Sequence, residues 1–157
     1  NTLKDSLINS MQYINTNNYI GLVSYNDDVT ISLPIAEFDI NQQSYFKGTV
    51  ESLDSSGGTA TYDGLCVALK MIEDKLVEVP DAKAMVFVLS DGETNRGHTL
   101  KDVESIVSGL AIPVYTIGYN ADIDALSKLS DINEGVCINA NTDDVIYQLK
   151  QLFNANM

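Results

Sequence analysis

"MVFVLSDGETNRG", Met85–Gly97, is the stretch on which the fold turns. Apolar residues run from Met85 to Leu89 without a polar break and stop at Ser90-Asp91-Gly92, with Glu93, Thr94 and Asn95 directly behind. A short apolar run bounded by turn residues reads as a strand buried on both faces. Such strands belong to parallel sheets covered by helices on each side, so a carboxylate at the tip of this one stands at the edge where open α/β sheets bind ligands.

The rest of the chain keeps that rhythm. Downstream, a helix is predicted from Thr99, with Asp102 completing its cap and Val103, Ile106, Val107 and Leu110 turned inward. Then come strand "IPVYTIG" (Ile112–Gly118), a helix from Asp122 carrying Leu126 and Leu129, strand "GVCIN" (Gly135–Asn139) and a last helix from about Thr142 with Val145, Leu149 and Leu152. Upstream, "GGTAT" (Gly57–Thr61) introduces a helix over Tyr62–Val77 with Leu65, Ala68, Leu69, Ile72 and Leu76 on its buried side. Further back, "YIGLVSY" (Tyr19–Tyr25) and "VTISLPI" (Val29–Ile35) form a hairpin around Asn26-Asp27-Asp28, and Pro34 marks the second run as an edge strand. A helix of Leu3, Leu7, Met11 and Ile14, with Thr2 and Asp5 as a capping pair, opens the chain. A short helix is placed around Gln43–Leu53, followed by a loop at Asp54-Ser55-Ser56. The expected fold is therefore an α/β, doubly wound and mainly parallel sheet with one antiparallel edge strand and helices on both faces, formed as a single domain over residues 1–157.

Composition narrows the function. The 157 residues carry a net charge of −13, from 22 acidic against nine basic side chains, of which Arg96 is the sole arginine. Nucleic acid and anionic membrane surfaces need clustered Lys and Arg, so neither is an expected partner. An acidic surface suits a cation or a basic partner. No apolar run approaches the roughly 20 residues of a membrane span. Cys66 and Cys137 lie in apolar segments and read as buried free thiols rather than a disulfide or zinc ligands.

At the rim, Thr59 and Asp91 are hard oxygen donors, suited to Mg²⁺, Mn²⁺ or Ca²⁺ rather than zinc. The bland reading is that Asp-Gly forms a turn and Thr59 enters a helix. "YIGLVSYNDDV", "SSGGTATYDGL", "MVFVLSDGETNRG" and "VYTIGYNADIDALSKLSDINEG", in this order and spacing, resemble a von Willebrand factor type A domain of bacterial type over nearly the whole chain. The resemblance implies strand order 3-2-1-4-5-6 and a metal-ion-dependent adhesion site, in which a DxSxS motif, a Thr and an Asp hold a divalent cation, usually Mg²⁺. Thr59 matches that Thr and Asp91 that Asp. An acidic group of a protein or peptide ligand would complete the octahedron, making the domain a non-enzymatic binding or adhesion module.

One departure is large. No Asp-x-Ser-x-Ser occurs in the chain, and the family's first strand, which carries it, is missing as well. That strand would lie between "YIGLVSY" and "MVFVLS", and with strands about 4.8 Å apart its absence leaves a gap of roughly 10 Å. The domain is therefore expected to be N-terminally incomplete or to receive the strand separately. Metal binding by the chain alone is expected to be weak or absent. Asn1 in place of Met also suggests a removed or omitted upstream segment, which leaves the compartment open, with an extracellular or cell-surface setting favoured; the oligomeric state is equally open.

Other polar residues have ordinary readings. His98 is expected to be a solvated loop residue, Glu93 and Asn95 to serve loop hydrogen bonding, Asp27 and Asp28 to shape the hairpin turn, and Asp63, next to Tyr62, to face the helix dipole. The competing function is a metal-assisted phosphohydrolase or phosphoryl receiver built on Asp91. Those folds want further acids at the first strand tip and a Lys at a later one, and "VYTIGYN" ends without Lys. A third possibility is a structural domain whose site has lost its metal.

Overall fold

The computed structural model describes residues 2–53 and 57–156, without the side chain of Thr2. The Thr2–Asp5 capping pair and the loop at Asp54-Ser55-Ser56 thus lie outside the described residues. The elements are α1 (Thr2–Ser10), a 3-10 turn (Met11–Tyr13), β1 (Tyr19–Tyr25), β2 (Val29–Glu37), α2 (Ile40–Ser52), α3 (Thr61–Glu78), β3 (Val86–Ser90), α4 (Leu100–Leu110), β4 (Val114–Gly118), α5 (Ile123–Asp131), β5 (Cys137–Asn139) and α6 (Val145–Asn156).

Beyond Pro80 the chain winds as a parallel sheet in the order β3-β4-β5. β3 shows why its residues had to be apolar throughout. Val86 and Val88 join Leu65, Leu69, Val103, Val107 and Leu129 on one face, while Phe87 and Leu89 join Leu149 and Phe153 on the other. Side chains alternate across a strand, so α3, α4 and α5 cover one face and α1 and α6 the opposite one. Helix ends follow the expected chemistry. Asp102 Oδ2 accepts the Thr99 amide at 2.8 Å, and Asp122 Oδ1 accepts that of Ala125 at 3.1 Å.

β1 and β2 form a separate antiparallel ladder with a three-residue connection, Asn26–Asp28, and a register irregularity at Gly21. α1 and α2 pack on it through Leu7, Ile8, Phe46 and Val50. The expected antiparallel strand is thus present, but the five strands make two ladders rather than one sheet.

Between the ladders lies a slot. Its cavity volume is about 900 Å³, and it is walled by β1, by β3 and by apolar residues of α3 (Leu65, Ala68, Ile72) and of α1 and α6 (Leu3, Leu7, Phe153). Among the described residues, β1 is paired only with β2, and β3 only with β4. Tyr25 bridges the slot at one end, its hydroxyl donating to the Leu89 carbonyl at 2.7 Å. Two paired strands would need no side chain to join them, because their backbones sit about 4.8 Å apart. The ends of β1 and β3 meet through this bond, so both strands run toward the same rim.

Two expectations need correction. Ile106 is 47% exposed rather than inward, because Val103 and Val107, flanked by Leu100 and Leu110, complete the α4 face against the core. Cys66 and Cys137 are free, as expected, yet only half-buried. Burial also pushes the Tyr25 phenol above its ordinary value, so it stays a proton donor to Leu89. Tyr25→Phe removes that bond and is expected to cost about 1 kcal/mol in urea unfolding, the usual net worth of one hydrogen bond. An unchanged midpoint would show the bridge to be energetically idle.

Candidate functional site

Three loops meet at the rim where β1 and β3 end. The 57–60 segment is tied to the β1–β2 turn, with Ala60 N–H donating to Asn26 O at 2.9 Å and Gly58 N–H to Asp27 Oδ1 at 2.8 Å. It is tied equally to the loop behind Asp91. Thr59 N–H donates to Asn95 Oδ1 at 2.7 Å, and Thr59 O accepts from the amides of Asn95 (3.0 Å) and Arg96 (3.3 Å). A larger residue at Gly58 would displace the Asp27–Arg96 pair. A Cβ there would stand 2.2 Å from Asp27 Oδ1 and 2.6 Å from Arg96 Cγ.

With its backbone fixed on both sides, Thr59 points its hydroxyl toward the start of the next loop. A methyl on Gly92 would lie 3.9 Å from Thr59 Oγ1. Asp91, exposed at the tip of β3, precedes that glycine, and Ser90 Oγ holds the turn by donating to Gly92 O at 2.8 Å. Thr59 and Asp91 both border the slot between β1 and β3. Close by, Thr61 is 1% exposed, and its Oγ1, although it faces the Tyr25 hydroxyl, makes no hydrogen bond of good geometry among the described residues.

These donors suit a hard cation in kind but not in number. Among the described residues no group of three His, Cys, Asp or Glu could hold a metal ion. Mg²⁺ wants six oxygens, so one carboxylate and one neutral hydroxyl make half a site at most.

Asn95 makes the loop hydrogen bond expected of it. Asp27 does more than shape the turn: Asn26 does that, accepting the Asp28 amide at 3.1 Å, while Asp27 clamps Gly58 and takes Arg96 Nε at 3.0 Å. Asp63 and His98 also depart from expectation. Asp63 Oδ1 accepts both the His98 amide at 2.9 Å and, at 2.5 Å, its ring Nδ1, so His98 is exposed yet anchored. Sequence reading missed Tyr25, Thr61 and Arg96. The only local signal was the rarity of Arg96 in so acidic a chain.

Fold and rim together define a Rossmann-like α/β domain with two oxygen-bearing residues bordering its slot, Asp91 at a strand tip and Thr59 at a helix entrance. The chain belongs to the von Willebrand factor type A domain family, whose sequence profile matches residues 2–155. Domains of this family are in general non-enzymatic binding and adhesion modules, and typically hold a divalent metal at a metal-ion-dependent adhesion site. Solved structures of similar fold include a von Willebrand factor type A protein from Catenulispora acidiphila (TM-score 0.79, 17% identity), of which the match covers 38%, with 99% of this chain. An aerotolerance-related membrane protein from Bacteroides fragilis aligns at TM-score 0.76 and 15% identity, over 99% of this chain and 86% of its own. Proximal thread matrix protein 1 of the mussel byssus, with a zinc-occupied MIDAS motif, aligns at 0.69 and 15%, over 97% of this chain and 39% of its own. No curated protein matches the chain. Among the described residues, no helix is long and apolar enough to cross a membrane.

Proposed function

We propose that this chain is a non-enzymatic binding domain that meets an acidic group of a protein or peptide ligand through a divalent cation, Mg²⁺ or a similar hard ion. Thr59 and Asp91 are two of the cation's ligands. The remaining protein oxygens come from an extended segment that fills the slot between β1 and β3 and ends at the same rim. The observation that carries this reading is that Thr59 and Asp91 both line that slot, with Thr59 Oγ1 3.9 Å from where a Cβ on Gly92, the neighbour of Asp91, would stand. Thr61 Oγ1 supports it, since a buried hydroxyl without a well-formed hydrogen bond costs free energy until something satisfies it. An acidic ligand then gains its affinity from the cation, because the surrounding surface is itself negative.

Among the described residues, nothing at the rim favours the enzymatic alternative. β4 ends at Gly118, and the Tyr119-Asn120 that follows presents no Lys that could stabilise a transferring phosphoryl group. An extracellular or cell-surface setting would suit an adhesion role of this kind.

Calorimetry tests the reading. Mg²⁺ titrated into the 157-residue chain should give no heat beyond dilution. The same titration into a form whose slot is filled by a strand ending in Asp-x-Ser-x-Ser should show binding that EDTA removes. Tight binding by the chain alone would mean that other carboxylates complete the site, and the assignment of an incomplete Thr59–Asp91 centre would fall.

A further inference from the structure

His98 and Asp63 stand outside the donor pair, yet they join the two segments that carry it. Asp63 lies in the first turn of α3, four residues beyond Thr59, and His98 closes the loop that begins at Asp91. One carboxylate oxygen takes two bonds from His98, from its amide (2.9 Å) and its ring Nδ1 (2.5 Å). The approach is possible only because position 97 is glycine. Gly97 has φ +69°, and a Cβ there would stand 1.9 Å from Asp63 Oδ2. Between the two ends, Asn95 and Arg96 grip Thr59. The loop is therefore fastened at three points: to Thr59, to the Asp27 carboxylate through Arg96, and to α3 through His98.

We propose that the His98–Asp63 pair is a proton-operated latch, which holds the 91–98 loop firmly against the Thr59 segment while the imidazole is charged and slackens when it is not. The groups facing the pair come from two helices. Asp63 and Cys66 lie on α3; Asp102, in the first turn of α4, adds its negative field at His98, and Lys101 partly offsets Asp102. Hydrogen bonding to Asp63 raises the imidazole above its ordinary value, and the bond from the His98 amide holds Asp63 below the usual carboxylate range. The signs follow from linkage. The raised His98 contributes fully below its unfolded value and loses that contribution as pH rises through its folded one. Asp63 contributes above its unfolded value and loses its share as pH falls through its depressed one. Between those limits both groups are charged and the loop is held best. Above them the neutral ring still donates from Nδ1, but without charge assistance the bond is about half as strong. The latch slackens rather than opens.

The consequence for cation affinity rests on the proposed function; the coupling of His98 to Thr59 does not. His98 is the only histidine, so its ring resonance can be followed in the intact chain without assignment. NMR titration should place its midpoint above the ordinary imidazole value. The amides of Thr59 and Asn95 should shift with the same midpoint, and their hydrogen exchange, corrected for intrinsic base catalysis, should quicken by roughly two- to fivefold above it, the range expected for one exposed ion pair. Asp63→Asn should return the ring to its ordinary midpoint and remove the pH response at Thr59. If that variant does not fold, His98→Gln should keep the fold and lose the response alone. An ordinary midpoint for His98, or Thr59 and Asn95 amides indifferent to it, overturns the latch. Coupled amides in a slot-filled domain that binds no Mg²⁺ would uphold the latch and sink the cation reading instead.

Discussion

Asp91→Ala is expected to abolish divalent-cation binding in a domain whose slot is filled, with Mg²⁺ affinity falling by more than about 100-fold. Changes to groups that merely orient a metal ligand already cost about 10- to 100-fold, and Asp91 is the one anionic donor proposed for the centre among the described residues. Acidic-ligand binding that depends on the cation should disappear with it. Thr59→Ala should cost less, because a neutral hydroxyl is lost and a water can take its place in the coordination shell. The comparison is clean because the contacts fixing position 59 are made by its backbone N–H and carbonyl, which alanine retains. Both variants should unfold in urea within about 0.5 kcal/mol of the parent, as expected of rim substitutions away from the core. Equal, small losses of Mg²⁺ affinity in the two variants would place the cation elsewhere.

Much of the fold was legible because it rests on local periodicity. The apolar run Val86–Leu89, the Thr99–Asp102 cap and the helix start at Asp122 each act within a few residues, and all three stand where the sequence predicts them. The candidate donors Thr59 and Asp91 could be named because a strand tip and a glycine-led helix entrance are local features, even though 32 positions separate them (91 − 59). What joins them was not legible. The Tyr25–Leu89 bond spans 64 positions and the Arg96–Asp27 pair spans 69, and periodicity carries no information at that range. Asp27, Asp63 and His98 were assigned local duties for the same reason: a turn, a helix dipole and solvent satisfy such residues equally well until the fold brings a partner. Ile106 misled differently, since its helical spacing fits the inward stripe of α4, yet the described core is closed by Val103 and Val107 with Leu100 and Leu110 beside them.

Filling the slot is expected to change the molecule more than any single substitution. With the slot open, the 157-residue chain should bind a hydrophobic dye and unfold over a broad thermal range, since among the described residues β1 and β3 each leave an unpaired edge beside apolar walls. The walls specify the occupant. Leu65, Ala68 and Ile72 face it from α3 on one side, and Leu3, Leu7 and Phe153 from α1 and α6 on the other, so successive residues must be apolar rather than alternating. β1 has seven residues and β3 has five, which sets the occupant's length at five to seven. An occupant running parallel to both neighbours would deliver its carboxyl end to the rim where Thr59 and Asp91 lie. Each strand residue gains paired backbone groups worth about 1 kcal/mol per bond, and each buried aliphatic side chain adds about 2 kcal/mol, against about 1–2 kcal/mol per residue for ordering. Supplying such a segment, as an N-terminal extension or a free peptide, should abolish dye binding and sharpen the thermal transition by differential scanning calorimetry. A proline at the middle of the segment removes a ladder donor on one edge and should cancel the gain. A sharp, dye-free transition from a monomer of the 157-residue chain alone would show that the two ladders need no strand between them.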